Sequence, residues 1–182
     1  MAHLLAVCAV HRLHPDSGTN GVTAIDKRPL ETPVRIGPYG VRSDVQANRK
    51  HHGGLDKALY AYAQEDAEYW ERELGRDVPP GLFGENLRTT GIDVNAARIG
   101  EIWRIGAVVR VEVTMPRTPC QTFARWMGGA EQRGWVKRFF AAQRPGPYLR
   151  VVKGGTVQAG DEIVVEHRPE EAPALLDGYR AP

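Results

Sequence analysis

The chain has 182 residues, of which 42% are apolar and 25% charged, with 24 basic against 22 acidic side chains. These fractions are typical of a globular protein and exclude a disordered chain. The net charge of +2 argues against a surface dedicated to nucleic acid. Two cysteines exclude a framework of disulfides, so we expect a reducing cytoplasm. No apolar run reaches the roughly 18 residues of a membrane span, and we expect no membrane partner.

The first part of the chain predicts short strands separated by loops. Residues 4–10 form an apolar run that is typical of a buried strand. The polar stretch over 15–21 contains two glycines and predicts a surface loop. Segments 22–26 and 33–37 predict two shorter strands.

The middle of the chain predicts two helices with one clear strand between them. Residues 55–74 place leucines and aromatic side chains near one helical face, and Gly75 fits a C-terminal cap. Residues 109–115 alternate apolar and polar side chains with the period of a half-buried strand. Residues 130–143 predict a second helix, which a Pro-Gly pair then ends.

The last third of the chain predicts two more strands, over 148–152 and 162–166, joined by tight glycine-containing turns. The element order is mostly β and lacks the strand–helix alternation of a doubly wound sheet. We therefore predict a mainly β fold with inserted helices. It would form a single domain over 1–182.

The turn after the strand over 109–115 is the strongest candidate for chemistry. Thr118 suits a helix N-cap and Gln121 follows three residues later, which together predict a capping box and a helix starting at Thr118. Cys120 then falls on the second helical residue, near the positive end of the helix dipole, and Arg117 lies three residues upstream. Both features favour the thiolate, the form that binds metals or attacks electrophiles.

A buried, inert thiol is the alternative for either cysteine. For Cys8, which lies inside the apolar run over 4–10, we adopt that interpretation. For Cys120 the cap, the turn and the arginine all favour a reactive thiol.

A second candidate is the double-glycine loop over 51–57. Gly53 and its glycine neighbour allow a ligand to approach the backbone closely. His52 lies in the same loop, and Arg42 and Lys57 are among the basic residues around it, so an anion site is one interpretation. A helix-leading turn on a solvated basic surface is the other.

Two further segments carry polar residues in defined geometry. Glu85 and Asn86 lie in the Pro- and Gly-rich loop over 79–87, where they would anchor hydrogen bonds to a ligand or satisfy only the turn itself. Tyr148 and Arg150 are two apart at a strand start and so face the same side. They would bind an anion, stack on a ring, or form an ordinary strand entrance.

Read in order, seven stretches resemble the MOSC family, named for the C-terminal domain of molybdenum cofactor sulfurase. The strongest of them is the Pro-Arg-Thr-Pro-Cys sequence that ends at Cys120. The stretches lie at 40–44, 52–57, 81–87, 99–101, 116–120, 148–152 and 160–161. The resemblance spans about residues 22–168, which it implies as the core of the domain.

The resemblance implies a MOSC-type β-barrel that binds molybdenum cofactor, a phosphorylated pterin dithiolene which the isolated protein need not retain. Small stand-alone bacterial members resemble this chain most, and some of them reduce N-hydroxylated bases and amidoximes. The resemblance implies Cys120 as the molybdenum ligand. It also makes cofactor-binding or orienting candidates of Arg117, Arg42, His52, Gly53, Glu85, Asn86, Tyr148 and Arg150. A small N-hydroxylated substrate and a separate electron-donor reductase would be the partners.

The chain departs from its relatives in ways that leave alternatives open. It has Gly100-Glu101 where relatives tend to have Gly-Asp, and we expect neither a C-terminal helical extension nor a pyridoxal-phosphate domain. A carrier of sulfur or cofactor that uses Cys120 without turnover is one alternative to a reductase. A barrel that binds phosphorylated ligands without chemistry is another.

Overall fold

The computed structural model describes residues 1–18, 21–46, 53–128 and 134–181. Within these ranges the helices are α1 (Gln64–Leu74), α2 (Gln121–Gly128) and α3 (Trp135–Ala142), with a 3₁₀ turn at Val94–Ala96. The strands are β1 (Ala2–Val10), β2 (His14–Pro15), β3 (Val22–Thr23), β4 (Lys27–Pro29), β5 (Val34–Gly37), β6 (Gly40–Val41), β7 (Leu59–Ala63), β8 (Leu87–Thr90), β9 (Ile102–Ile105), β10 (Val109–Pro116), β11 (Pro147–Lys153), β12 (Gly155–Val157) and β13 (Glu162–His167).

Seven strands close into a β-barrel in the order β13, β9, β10, β11, β7, β8 and β1, and β1 pairs with β13 to complete the ring. The pairs are antiparallel except β7 with β8, which is parallel. Strand β4 adds to the free side of β1, while β12, β5 and β6 form a small separate sheet. The architecture confirms the predicted fold class, a mainly β barrel with inserted helices.

Strand β10 shows how the sequence directs the barrel. Val109, Val111 and Val113 are fully buried and belong to the apolar cluster that fills the barrel. The residues between them are only partly buried, as the predicted period of two requires. Cys8 is also fully buried, and burial raises the pKa of its thiol, in agreement with the inert interpretation.

The single helix predicted over 55–74 is wrong in its first half, because residues 59–63 form strand β7. All five side chains of β7 are buried. Leu59, Ala61 and Ala63 face the barrel interior, whereas Tyr60 and Tyr62 face a second, aromatic cluster. A strand buried on both faces has no polar alternation to reveal it. The helix begins at Gln64 and ends as predicted at Gly75, which has a left-handed φ of 63°.

Other predicted boundaries shift by a few residues. The helix expected from Thr118 starts at Gln121, and the strand expected over 22–26 is limited to Val22–Thr23. The helix predicted over 130–143 is found as α3, and residues 130–133 lie outside the described ranges. The last two predicted strands are not joined by tight turns alone, because β12 lies between them and pairs with β5.

The second apolar cluster, here called the aromatic cluster, lies between the outer wall of the barrel and the three helices. Its rings pack tilted or edge to face, with centroids 4.9 Å apart for Trp70 and Trp135 and 5.2 Å apart for Phe123 and Phe139. Its buried aromatic members are Tyr60, Tyr62, Trp70, Phe83, Phe123, Trp135 and Phe139. Within the described ranges, no helix is long and apolar enough to cross a membrane.

Candidate functional site

A cavity of about 400 Å³ opens on the outer wall of the barrel, at the edge of the aromatic cluster. It brings together four of the predicted site residues, Asn86, Arg117, Cys120 and Tyr148. They come from the loop before β8, the turn after β10 and the start of β11. The closed barrel therefore unites residues that are up to 62 positions apart in the sequence.

Cys120 is partly exposed and caps α2 through its backbone, since its carbonyl accepts from the N–H of Ala124 at 3.0 Å. The prediction that Thr118 caps this helix is wrong. Residues 117–120 remain irregular after the strand, so the helix starts one turn later than expected. The change leaves the thiol at the N-terminal end of α2, where the helix dipole favours a negative charge.

Arg117 is the most unusual side chain of the site. It is 6% exposed, and its guanidinium lies 3.9 Å from the ring centre of Phe123 and 5.0 Å from that of Tyr60. Its Nη1 atom is buried without a hydrogen-bond partner. In the described part of the chain, no carboxylate forms an ion pair with it. A buried cation in this state favours an anion in the cavity that it lines.

The tyrosines around Arg117 do not supply that anion. Tyr60 donates its hydroxyl to the carbonyl of Pro145 at 2.7 Å, and burial raises its pKa well above 10. Burial likewise raises the pKa of Tyr148. Both phenols are therefore neutral at physiological pH and offer polar but uncharged walls.

Two ion pairs line the cavity as well, and neither was predicted. Lys27 bonds to the carboxylate of Asp44, which also accepts from the amide of Asn86 at 2.8 Å. Asp16 accepts from the guanidinium of Arg125 at 2.8 Å. Each pair is neutral overall, so neither pair compensates the charge of Arg117.

Asn86 also links two strands of the barrel wall behind the cavity. Its side-chain oxygen accepts from the N–H of Tyr60 at 3.3 Å, and its amide nitrogen donates to the carbonyl of Cys8 at 3.2 Å. Strands β1 and β7 are thereby tied to the same side chain. The residue combines a structural role with a position in the cavity wall.

Glu85, the neighbour of Asn86, lies behind the wall and is not among the lining residues. Its fully buried carboxylate accepts from the N–H of Gly81 at 2.8 Å and of Phe83 at 3.1 Å. It also forms an ion pair with Arg88, which is equally buried. These bonds fix the loop that carries Phe83 and Asn86 to the cavity.

Three other predicted residues also lie apart from the cavity lining. Arg42 is exposed on the turn after β6, and Gly53 is partly buried. Arg150 donates to Asp56 at 2.9 Å and to Glu112 at 3.0 Å, so its charge is already compensated. His52 lies outside the described residues.

Sequence reasoning missed Lys27, Asp44, Asp16 and Arg125 as members of this site. Lys27 lies on β4, Asp44 follows β6, Asp16 lies in the hairpin of β2 and β3, and Arg125 lies on α2. The fold brings these segments together. Lys57, noted in the sequence only as a nearby basic residue, also lines the cavity, with its ammonium 5.7 Å from the ring centre of Tyr148. Only the folded structure shows that these residues lie around one cavity.

The Asp16–Arg125 pair leads to a prediction about pH. The bond from Arg125 lowers the pKa of Asp16 from 3.8 to about 2. Because the folded-state pKa is depressed, the pair stabilises the protein fully above pH 4 and loses its effect as the pH falls toward 2. We expect Asp16→Asn to lower the urea midpoint at pH 6, and the difference from wild type to shrink between pH 4 and pH 2. A constant difference over that range would contradict the assignment.

The fold and the cavity define a class: a β-barrel that presents one accessible cysteine and one buried cation to a cavity on its outer wall. Residues 48–164 match the model of the MOSC domain, and the chain belongs to the MOSC domain family. This family is associated with molybdenum cofactor.

The chain is similar in sequence to relatives that are longer than itself. It is 34% identical over 149 residues to YflK of Bacillus subtilis (strain 168), covering 82% of this chain and 66% of that protein. It is 32% identical over 168 residues to a protein named "Reductase" from Gibberella moniliformis, covering 87% of this chain and 28% of that protein. The chain thus spans less than two thirds of either relative.

A solved structure supports the same assignment. The crystal structure of YiiM from Geobacillus stearothermophilus matches with a TM-score of 0.76 and 27% sequence identity, over 96% of this chain and 80% of that one. The likeness therefore extends beyond the family segment to nearly the whole fold.

Proposed function

We propose that this protein binds molybdenum cofactor in the cavity and reduces N-hydroxylated compounds such as hydroxylamino bases and amidoximes. One observation carries the proposal: an accessible thiol, Cys120, and a buried guanidinium with an unpartnered nitrogen, Arg117, line the same cavity. The first provides a soft ligand for a metal, and the second attracts an anionic group.

The cavity fits the cofactor in chemical type. A pterin is a flat ring that stacks on aromatic side chains, and the walls contain Tyr60, Phe83 and Tyr148. The phosphate and the dithiolene are negatively charged, and among the described residues four cationic side chains line the cavity against two carboxylates. The cations are Lys27, Lys57, Arg117 and Arg125, and the carboxylates are Asp16 and Asp44.

In this proposal the chain itself binds and orients, while the cofactor supplies the two-electron redox chemistry that removes oxygen from an N–OH group. Cys120 contributes one thiolate ligand. Arg117 holds the anionic part of the cofactor, with Lys57 as an additional cation. Tyr148 presents a neutral hydroxyl to the substrate, and Asn86 orients the cavity wall through its bonds to Tyr60, Cys8 and Asp44.

The overall reaction converts R–NHOH, two electrons and two protons into R–NH2 and water. A separate reductase would provide the electrons. The relative named "Reductase" supports redox chemistry of this general kind.

Reconstitution tests the proposal. We expect purified full-length protein, incubated with molybdenum cofactor and a chemical reductant, to retain molybdenum and to consume an amidoxime. Cys120→Ser should lower turnover about 100-fold or more, because loss of a metal ligand exceeds the usual effect of losing an outer-shell partner. Cys8→Ala is the matched control, since that thiol is fully buried, and should keep activity if it remains folded.

The other outcomes identify the alternatives. Retained cofactor without turnover, or a persulfide on Cys120, would favour a carrier over a reductase. Equal molybdenum retention by wild type and Cys120→Ser would contradict ligation by this cysteine. Failure of wild type to retain any cofactor under conditions that load a known MOSC protein would contradict the proposal as a whole.

A further inference from the structure

The backbone of Arg117 is held from both sides by segments remote in sequence. Its N–H donates to the carbonyl of Gly146 at 3.0 Å, and its own carbonyl accepts from the hydroxyl of Tyr179 at 3.1 Å. Gly146 precedes β11, and Tyr179 belongs to the irregular segment that follows β13. The residue that carries the buried guanidinium is thus fixed where a short irregular turn would otherwise be free to move.

The hydrogen bond from Arg117 to the carbonyl of residue 146 depends on a glycine at that position. Gly146 has a φ of +66°, and a Cβ atom there would lie 2.3 Å from the carbonyl oxygen of Ala61. The N–H of Gly146 donates to the side-chain oxygen of Asn95 at 3.0 Å. The carbonyl that accepts from Arg117 is therefore fixed against the barrel wall.

Tyr179, which donates to the carbonyl of Arg117, is also held in place by several contacts. Tyr179 is 8% exposed, and its ring packs on Phe140 of α3 with centroids 4.7 Å apart. Its carbonyl accepts from the side-chain amide of Gln143 at 3.1 Å, and the same amide donates to the carbonyl of Phe140 at 2.7 Å. Among the described residues, Gln143 is the only one other than glycine with a positive φ, 53°. That conformation is unfavourable for a side-chain-bearing residue, and here it lets one amide tie α3 to the chain's last segment.

We propose that Tyr179 is a positioning residue for the anion site: its hydroxyl holds Arg117 so that the guanidinium points into the cavity beside Cys120. The inference rests on the proposed function in one respect, that Arg117 receives an anion. Tyr179 lies outside the matched segment 48–164, so the family match does not account for it. Burial raises the pKa of Tyr179, which therefore remains a hydrogen-bond donor at neutral pH.

Charge-selective alkylation of Cys120 tests this positioning. Full-length protein from cells that make no molybdenum cofactor is treated with iodoacetate, an anion, or with iodoacetamide, which is neutral. Both reagents attack the same thiolate, so the ratio of their rates is independent of the fraction ionised and reports the positive charge near the sulfur. Cys8 does not compete, because it is fully buried.

We expect Tyr179→Phe, which removes only the hydroxyl, to lower the iodoacetate-to-iodoacetamide ratio about threefold, toward the value for Arg117→Met. Inorganic phosphate should protect wild-type Cys120 from iodoacetate, and Tyr179→Phe should need about threefold more phosphate for the same protection. The matched control, Tyr62→Phe, removes a buried hydroxyl that does not bond to Arg117 and should leave the ratio unchanged. Urea midpoints confirm that each variant is folded.

Two results would overturn the inference, and they differ in what they say about the cofactor site. A ratio that falls in Arg117→Met but not in Tyr179→Phe would show that Arg117 attracts anions without help from Tyr179. A ratio unchanged even in Arg117→Met would show that Arg117 does not direct anions into the cavity, and both the proposed anion site and the inference would fall.

Discussion

Replacing Arg88 by methionine is expected to lower the free energy of unfolding by about 3–5 kcal/mol, the largest loss that we predict for this protein. Arg88 and Glu85 form an ion pair in which neither side chain is exposed. Arg88 also donates to the side chain of Gln64 at 2.9 Å and to the carbonyl of Val78 at 3.1 Å. Without the guanidinium, the buried carboxylate of Glu85 and three further acceptors, on Gln64, Val78 and Pro79, would lose a hydrogen-bond donor.

Urea unfolding at pH 7 measures this effect, and a second variant isolates its cause. If the loss comes mainly from the charge left on Glu85, the double variant Glu85→Gln with Arg88→Met should recover part of the stability. Arg28→Met is the control, because that arginine is 63% exposed and should change stability by less than about 0.5 kcal/mol. A loss below about 1 kcal/mol for Arg88→Met would contradict the assigned role.

The buried pair also matters for the cavity. It fixes the loop over 79–87, whose members Phe83, Gly84 and Asn86 form one wall of the site. Glu85 contributes to function by holding this loop, although the side chain itself does not reach the cavity. The sequence shows that Glu85 is a carboxylate near apolar residues. It does not show whether this carboxylate binds a ligand or holds the loop in place.

The turn at the end of β10 was the part of the site most open to prediction. A strand must stop at Pro116, and the next four residues place an arginine and a cysteine before a helix by short-range geometry alone. Local geometry also suffices for Gly75, whose lack of a side chain suits a left-handed cap. Features of this kind depend on neighbours within one helical turn.

The remaining features depend on closure of the barrel. Lys27 and Asp44 pair across 17 residues, and Asp16 reaches Arg125 across 109. No local pattern encodes such contacts, because the strand order between them is set by packing of the whole sheet. The strand at 59–63 was missed for a related reason. Leu59 and Tyr62 fit one face of a helix with the residues that follow them, whereas in the fold Leu59 faces the barrel interior and Tyr62 faces the aromatic cluster.

Arg117→Met is expected to have opposite effects on stability and on function. A buried charge without an ion-pair partner costs several kcal/mol of desolvation, which contacts with three aromatic rings offset only in part. Methionine fills a similar volume without that cost, so we expect the cofactor-free protein to gain about 1–2 kcal/mol. The same variant should lose retention of molybdenum cofactor at least tenfold, since its anionic group loses its buried partner.

Urea unfolding of the cofactor-free protein and metal analysis after loading give the two measurements. Arg125→Met is the matched control: its guanidinium already bonds to Asp16, so its loss should not stabilise the protein. If Arg117→Met proved less stable than wild type by 1 kcal/mol or more, the guanidinium would be a structural cation whose needs the fold already meets. A gain in stability with a loss of cofactor would instead mean that the fold keeps this guanidinium desolvated in order to bind a ligand. Ligand binding would then offset the cost of desolvating the charge.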